Sequence, residues 1–252
     1  AVSDWYRRRF EVSLDSDKEI LPLIGAKEGI GHASFCFIDP GDIALVPDPG
    51  YPVYSVGTWF SGGECHWMPL KEENGWVPDL TAIPSDVAKR AKVIWLNYPN
   101  NPTGAVYSPE LIQGIVALAI EHDLWIISDE IYTELIWNGA EHLSPASVEG
   151  GFERTLTVTG PSKTHGMTGW RVGILAAPTH VAKVVGRLQG NTCSHIPSFL
   201  MPAAEVAAKN WGAVVEFRAD YVRRRALMIE LIENIPSMSA SDPEGAFYMM
   251  VD

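Results

Sequence analysis

A chain of 252 residues can bury a sizeable hydrophobic core, either as one large domain or as two smaller ones. Its 19 Lys and Arg residues against 31 Asp and Glu residues give a net charge of -12, which argues against nucleic acid or an anionic membrane as a partner. Three cysteines without a CxxC pair indicate neither a disulfide framework nor a thiolate metal site, and no apolar run reaches the roughly 18 residues of a membrane span. We therefore expect a soluble protein of the reducing cytoplasm without a signal peptide.

The predicted elements alternate between strand-like apolar runs and helical stretches. The chain begins inside a predicted helix, and the clearest later helix spans about Ser108 to His122, with Ser108 as its N-cap. On this helix, Leu111, Ile115, Leu118 and Ala119 share one face. After Pro197 the pattern is helical for a long stretch, and a strand-like run returns only at PEGAFYMMVD. The earlier strand-like runs are EILPLIG, DIALVPDP, AKVIWLNYP, LWIISDE, RTLTVTG and RVGILAAP.

This alternation predicts an α/β fold with a mostly parallel sheet and helices on both faces. We assign residues 1–230 to a large domain that includes a long linking helix, and residues 231–252 to the beginning of a smaller C-terminal α/β domain. The chain has no initiator Met and ends in a run that resembles a strand without partners. We therefore expect it to be truncated at both ends.

Polar residues follow four of the predicted strands directly. Because ligands of an open parallel sheet bind at the carboxyl ends of its strands, these residues are candidates for one site. They offer a phosphate cradle, an amide, a carboxylate, a phenol and an amine. In chain order the candidates are Gly25, Ala26 and Lys27, then Asn100 and Asn101, then Asp129 and Tyr132, and finally Ser162 and Lys163.

Several motifs resemble the class I/II aminotransferases, which have the aspartate aminotransferase fold (fold type I) and use pyridoxal 5′-phosphate (PLP). YPNNPTG, SDEIY and SKTHGMTGWRVG occur in the order and at the kind of spacing found in that family, with DPGYPVY before them and PEGAFY after them. The resemblance extends over essentially the whole chain. IGAKEGIGH followed by FIDPGD is similar to the branch that contains the LL-diaminopimelate aminotransferases.

The resemblance implies a role for each polar candidate around the cofactor ring. Lys163 forms the imine with the cofactor aldehyde and shuttles the proton during the reaction. Asp129 pairs with the pyridine nitrogen, and Tyr132 and Asn101 hydrogen-bond the phenolic oxygen. Tyr51 stacks on the ring.

The resemblance also implies a phosphate site and contacts to substrate. Backbone N–H groups of Ala26 and Lys27, the Ser162 hydroxyl and the Arg171 guanidinium bind the phosphate. Family members usually have a small hydroxyl residue three positions before the lysine, but this chain has Gly160, so one phosphate contact is missing or comes from the backbone. Lys27, Tyr51 and Asn101 are also the candidate substrate contacts.

Taken singly, these residues have simpler interpretations. A loop lysine is usually a solvated charge, an aspartate after a strand can cap a helix, and NNPTG alone indicates a turn. Arg171 could form a structural ion pair and Tyr51 could be a core aromatic residue. The seven histidines form no HExxH motif or i, i+4 pair, so we predict no metal.

The resemblance predicts a PLP-dependent aminotransferase of amino-acid metabolism with ping-pong kinetics. LL-diaminopimelate with 2-oxoglutarate is the leading substrate pair, which would place the enzyme in lysine biosynthesis. A broader alanine or aspartate aminotransferase, a PLP-dependent lyase and a non-catalytic PLP-binding fragment stay open as alternatives. A homodimer is implied, and the arginine that binds the substrate carboxylate is expected beyond the C-terminus of this sequence.

Overall fold

One seven-stranded sheet organises residues 1–252, which are described here from a computed structural model. Its strands are β1 (Ile20–Ile24), β2 (Ile43–Asp48), β3 (Glu64–Pro69), β4 (Ala91–Asn97), β5 (Trp125–Asp129), β6 (Thr155–Thr159) and β7 (Val172–Ala176). Their order across the sheet is β1-β7-β6-β5-β4-β2-β3. The pairs from β3 through β6 are parallel, whereas β7 pairs antiparallel with both β6 and β1. The prediction of a mostly parallel sheet is confirmed.

Helices cover both faces of this sheet. They are α1 (Val2–Phe10), α2 (Ala26–Phe37), α3 (Val53–Phe60), α4 (Ser85–Arg90), α5 (Pro109–His122), α6 (Pro161–Thr164), α7 (Thr179–Thr192), α8 (Met201–Lys209) and α9 (Trp211–Glu233). Two hydrophobic clusters lie on opposite faces because the side chains of a strand alternate: Trp95 belongs to one cluster, whereas Ile94 and Leu96 belong to the other. None of the helices combines the length and apolar character that crossing a membrane requires.

Helix α5 begins and ends as its sequence predicts, but its buried face is rotated. The Ser108 hydroxyl accepts a hydrogen bond from the Leu111 N–H at 3.2 Å, and the chain leaves the helix through Asp123 in the left-handed region. The fully buried positions of α5 are Ile112, Ile115, Val116 and Ala119, whereas Leu111 and Leu118 are only half-buried. The four residues predicted to share a face are therefore all at least half-buried, but the fully buried face is turned toward Ile112 and Val116.

The sequence PEGAFYMMVD does not form the predicted strand. Residues 234–252 contain only two isolated bridges, Ile136 with Gly245 and Ala240 with Val251. Ala246 has a φ of 57°, which is incompatible with an extended strand at that point. The segment instead packs on the loop after β5, where the Ala246 N–H donates to the Leu135 carbonyl at 2.8 Å. Helix α9 runs through residue 231 without a break, so the proposed domain boundary falls in its last turn.

Candidate active site

A cavity of about 240 Å³ opens at the carboxyl ends of β4, β5 and β6 and at the beginning of α2. It contains every residue to which the sequence assigned a site role: Ala26, Lys27, Tyr51, Asn101, Asp129, Tyr132, Ser162, Lys163 and Arg171. Four further polar or aromatic residues line it without having been assigned a role: Tyr54, Asn97, Thr168 and Tyr248. The chain therefore brings together groups that are separated by more than a hundred positions.

Asp129 is a buried acid at the end of β5. Its side chain accepts hydrogen bonds from the Tyr54 hydroxyl at 2.8 Å and from the Ile131 N–H at 3.4 Å, and no cationic side chain forms an ion pair with it. Burial raises the pKa of Asp129 from 3.8 to about 6, although both hydrogen bonds lower it. A buried carboxylate without a positive partner is costly, so this position favours a ligand that brings a positively charged N–H group.

Tyr54 is the most informative residue that the sequence patterns did not assign. It lies on α3, fully buried, and its ring stacks on Trp95 with centroids 5.1 Å apart and an interplanar angle of 20°. This packing fixes the direction of the hydroxyl toward Asp129. The signal in the sequence is the second tyrosine of DPGYPVY, which lies about one helical turn after Tyr51 and whose ring contacts that of Tyr51 edge to face.

Two asparagines connect the ends of β4 and β5. The Asn97 side chain donates to the Asp129 carbonyl at 3.0 Å and accepts from the Asn101 N–H at 2.8 Å. The buried Asn100 side chain donates to the Asn97 carbonyl and accepts from Thr103, which holds the turn closed. Only the backbone of Asn101 takes part in this network, so its amide side chain is available to a ligand in the cavity.

Lys163 lies in the short helix α6, directly after β6, and is half-buried against aromatic rings. Its ammonium nitrogen lies 5.9 Å from the centroid of the Tyr132 ring and 5.4 Å from that of Phe247. The Tyr132 hydroxyl lies 2.8 Å from the Tyr248 hydroxyl. No carboxylate pairs with Lys163, so the amine is held near the cavity by apolar and aromatic contacts.

The beginning of α2 and Arg171 form the positive end of the cavity. Ala26 and Lys27 are the first two residues of α2, where N–H groups have no partner inside the helix. The Arg171 guanidinium donates to the carbonyls of Thr168 at 3.1 Å and Ile24 at 3.4 Å and has no carboxylate partner, so a structural ion pair is not its role in this structure. Gly25 has a φ of 77°, and a Cβ at this position would collide with the guanidinium.

Gly160, the departure from the family pattern, has a packing reason. It is the N-cap of α6, and a Cβ there would lie 2.9 Å from the Val172 carbonyl oxygen and 3.1 Å from the Gly173 Cα. A serine or threonine would therefore displace β7. The backbone, the Ser162 hydroxyl and Arg171 are the groups that this chain offers at that end of the cavity.

The donor set fits pyridoxal 5′-phosphate. The N–H groups at the beginning of α2 and the Arg171 guanidinium would hold its phosphate, and the buried Asp129 would pair with its protonated ring nitrogen. Tyr51 offers an aromatic face beside Lys27, whose ammonium nitrogen is 5.8 Å from the centroid of the Tyr51 ring. Lys163 supplies the amine that an aldehyde requires.

Comparisons with known proteins agree with this chemistry. The chain is 40% identical to an LL-diaminopimelate aminotransferase of Dehalococcoides mccartyi over 99% of its length, and 43% identical to one of Desulforudis audaxviator. It spans 64% of the length of each of these relatives. The solved structure of Thermus thermophilus aspartate aminotransferase with maleate superposes with a TM-score of 0.93 at 33% identity, covering 100% of this chain and 65% of the other.

A family model described as aminotransferase class I and II matches residues 1–252. The cofactor of this family is PLP, in agreement with the donor set of the cavity. The match includes the strand ends, the turn at Asn101 and the short helix α6, which carries Lys163. By this match and by its fold, the chain belongs to the class I and II aminotransferase family.

Proposed function

We propose that the protein transfers an amino group from an amino acid to a 2-oxo acid by a ping-pong mechanism, with PLP bound in the cavity between Arg171 and Asp129. One observation carries the proposal: a single cavity combines the amine of Lys163, the buried Asp129 without a cationic partner, and an anion site at the beginning of α2. PLP, when bound, supplies an aldehyde that condenses with amines and a ring that accepts the electron pair released at the substrate α-carbon.

Asp129 holds a proton on the ring nitrogen in this proposal. The Tyr54 hydroxyl lowers the pKa of the carboxyl group and so favours its charged form, which is the form that pairs with a pyridinium. Asn97 orients the end of β5 through its bond to the Asp129 carbonyl. Tyr132, Asn101 and Tyr51 line the same cavity; the first two would hydrogen-bond the phenolic oxygen of the ring, and Tyr51 would pack on its face.

Lys163 moves the proton. With the cofactor bound, the Lys163 amine would take a proton from the α-carbon of the amino acid and would deliver it to the cofactor carbon that carried the aldehyde. The aromatic rings of Tyr132 and Phe247 surround the amine with a less polar environment than water. In the ping-pong cycle, the residues around the cavity would hold the cofactor while it carries the amino group, one water molecule would release the first 2-oxo acid, and a second 2-oxo acid would take up the amino group.

We propose LL-diaminopimelate and 2-oxoglutarate as the substrate pair. The support is the 40% and 43% identity to proteins named as LL-diaminopimelate aminotransferases. Lys27, Tyr51 and Asn101 line the cavity and are the proposed substrate contacts. The structural similarity to an aspartate aminotransferase favours aspartate as a second candidate donor. Measuring kcat/KM for LL-diaminopimelate and aspartate, with alanine as a further donor, would decide between these two candidate donors.

We further propose that the protein acts as a cytoplasmic homodimer and that residues 231–252 begin a smaller domain. Large apolar side chains are exposed on this chain, including Phe60 at 75% and Phe199 at 78%, which supports further protein contacts. Sedimentation of the protein that carries this sequence would test the dimer.

The test of the cofactor site is an absorption spectrum with PLP before and after borohydride reduction. We expect a visible band in the wild type, and mass spectrometry should locate the reduced cofactor on the peptide that contains Lys163. Lys163→Ala should lose both signals, whereas Lys183→Ala, which removes an exposed lysine of α7, should keep them. A band that persists in Lys163→Ala would contradict the proposal.

A further inference from the structure

A second group of reactive side chains lies outside the cavity, where α2 packs against the end of α7. Glu28 and His32 are one turn apart on α2, and Cys193 follows the last residue of α7. One carboxylate oxygen, one imidazole nitrogen and the thiol sulfur lie within 4.8 Å of one another. The Glu28 and His32 side chains are only 10% and 14% exposed, whereas Cys193 is half-buried and leaves one side of the group open to water.

Hydrogen bonds determine which nitrogen of His32 carries the proton in the neutral ring. The Thr192 hydroxyl donates to the Leu188 carbonyl at 2.9 Å, and its oxygen lies 3.0 Å from Nε2 of His32. When the hydroxyl donates to Leu188, its oxygen accepts from Nε2, and this arrangement therefore assigns the ring hydrogen to Nε2. Nδ1 then carries a lone pair.

That lone pair faces an anion. Nδ1 of His32 is buried, has no hydrogen-bond partner, and lies 2.9 Å from Oε1 of Glu28. Two acceptor atoms this close repel each other unless a cation lies near both. A hydrogen on Nδ1 would not point at the Glu28 carboxylate. Protonation of Nδ1 would therefore give only a poorly aligned hydrogen bond between the two side chains.

The carboxylate of Glu28 is held in place from its other side. Its Oε2 accepts a hydrogen bond from the Ile24 N–H at 2.6 Å, and Gln189 donates to both oxygens at 3.3 Å. Gln189 is fixed in turn by the Pro22 carbonyl at 2.8 Å. Outer hydrogen bonds that orient a carboxylate and an imidazole are what metal ligands in proteins usually have.

We propose that Glu28, His32 and Cys193 form a zinc-binding site with Oε1, Nδ1 and Sγ as its ligands. A carboxylate, an imidazole and a thiolate form a donor set that Zn²⁺ accepts, with water completing a tetrahedron. Typical zinc bond lengths place tetrahedral ligand atoms about 3.3 to 3.6 Å apart. Small side-chain rotations would widen the 2.9 Å between Nδ1 and Oε1 and bring any longer spacing, which is at most 4.8 Å, down to these values.

The thiol contributes a proton when the metal binds. Burial and the nearby Glu28 carboxylate raise the pKa of Cys193 in the metal-free chain. Zn²⁺ replaces the thiol proton, which leaves to the buffer, so binding should tighten as the pH rises. The bound ion would connect the beginning of α2 to the end of α7 without entering the proposed cofactor cavity.

The sequence prediction of no metal is revised by this proposal. That prediction rested on the absence of an HExxH motif, of an i, i+4 histidine pair and of a CxxC pair. Here the local signal is only a Glu/His pair four residues apart, and the third ligand is more than 150 positions later in the chain.

Cobalt provides a direct test, because a thiolate ligand gives Co²⁺ an intense charge-transfer absorption. Titration of the chain without PLP should produce this absorption at one equivalent of Co²⁺, and Zn²⁺ should displace it. Cys193→Ser should abolish the absorption and weaken zinc binding at least tenfold. Cys65→Ser, which changes a half-buried thiol on β3, should leave both unchanged.

Two further measurements do not depend on the folding of the cysteine variant. Zn²⁺ should slow alkylation of Cys193 in the wild type without slowing that of Cys65, and His32→Gln should remove this protection. Absence of the cobalt absorption in the wild type, or its survival in Cys193→Ser, would overturn the proposal. Equal alkylation of Cys193 with and without Zn²⁺ would overturn it as well.

Discussion

The Tyr54 hydroxyl donates a 2.8 Å hydrogen bond to Oδ2 of Asp129, and stacking on Trp95 holds the tyrosine ring in the orientation that makes this bond. Asp129 has only one other hydrogen bond to its side chain, a longer one from the Ile131 N–H. Tyr54 therefore controls the charge of the acid that faces the proposed cofactor nitrogen.

Tyr54→Phe should raise the pKa of Asp129, since the hydrogen bond from Tyr54 lowers it. Leaving a buried carboxyl oxygen without its donor should cost about 1–3 kcal/mol in the free energy of unfolding near neutral pH. PLP affinity should fall because a protonated Asp129 cannot pair with a pyridinium. Urea unfolding at pH 7 and a PLP titration measure the two effects.

Tyr107→Phe is the matched control for this change. Tyr107 is also a buried tyrosine, but its hydroxyl has no hydrogen-bond partner in the protein. Its removal should be neutral or slightly stabilising. Equal losses in the two variants would mean that the Tyr54 hydroxyl does not stabilise the Asp129 carboxylate.

Asp129 should also make stability depend on pH. Its folded pKa of about 6 lies above the value of 3.8 for a free aspartate, so the native state holds the proton more tightly. This contribution is fully present below pH 3.8 and is lost as the pH rises through 6. Without cofactor, the free energy of unfolding of Asp129→Asn should therefore rise relative to that of the wild type between pH 4 and pH 7, by roughly 3 kcal/mol at most.

Asp123→Asn provides a control of opposite sign. The exposed Asp123 carboxylate pairs with Arg154, and this contact lowers its pKa. The variant should therefore become slightly less stable than the wild type as the pH rises above the ordinary pKa of an aspartate. Unfolding curves at pH 4 and pH 7 give the comparison, and an Asp129→Asn profile parallel to the wild type would contradict the raised pKa.

The sequence predicted the mostly parallel sheet and grouped the proposed site residues, but it missed two local elements. Polar residues that follow buried parallel strands must meet at one sheet edge, so Asn101, Asp129 and Lys163 could be grouped from their positions alone. Strand β3 was missed because its residues are mostly half-exposed at an edge and alternate weakly. PEGAFY was predicted as a strand because it is apolar. Its apolar residues instead serve to pack the segment on residues 135–137, a long-range contact that local sequence patterns do not encode.

Gly25 should be required for anion binding rather than only for the shape of the backbone. In Gly25→Ala the methyl group would displace the Arg171 guanidinium and strain a φ of 77°. Backbone strain alone should cost about 1 kcal/mol. We expect PLP and inorganic phosphate to bind at least about tenfold more weakly, because a tenfold loss corresponds to only 1.4 kcal/mol.

Gly139→Ala separates strain from collision. Gly139 has a nearly identical φ of 75°, but a Cβ there would meet nothing within 4 Å. It should lose a similar amount of stability without any change in PLP or phosphate affinity. If both variants bind phosphate like the wild type, the anion does not lie between α2 and Arg171.

Gly245 allows the C-terminal segment to pack closely beside the cavity, and its replacement should make the Lys163 amine more accessible to solvent and reagents. A Cβ on Gly245 would lie 2.6 Å from the Pro99 side chain and 2.9 Å from the Leu135 carbonyl oxygen. Gly245→Ala should therefore move Phe247 away from Lys163 and cost about 1–3 kcal/mol through overpacking. Acylation of Lys163 by a small amine-reactive ester, followed by mass spectrometry, should become several-fold faster.

Gly190→Ala is the control, because it replaces a glycine at a position where the new methyl group contacts no other residue. Gly190 lies on α7 with nothing within 4 Å of a Cβ, so alanine should stabilise the helix by about 0.5–1 kcal/mol and leave acylation of Lys163 unchanged. An unchanged acylation rate in Gly245→Ala, together with a measured loss of stability, would show that the segment supports the fold but does not shield the amine. In that case the cation–π contact with Phe247 would be incidental to the chemistry of Lys163.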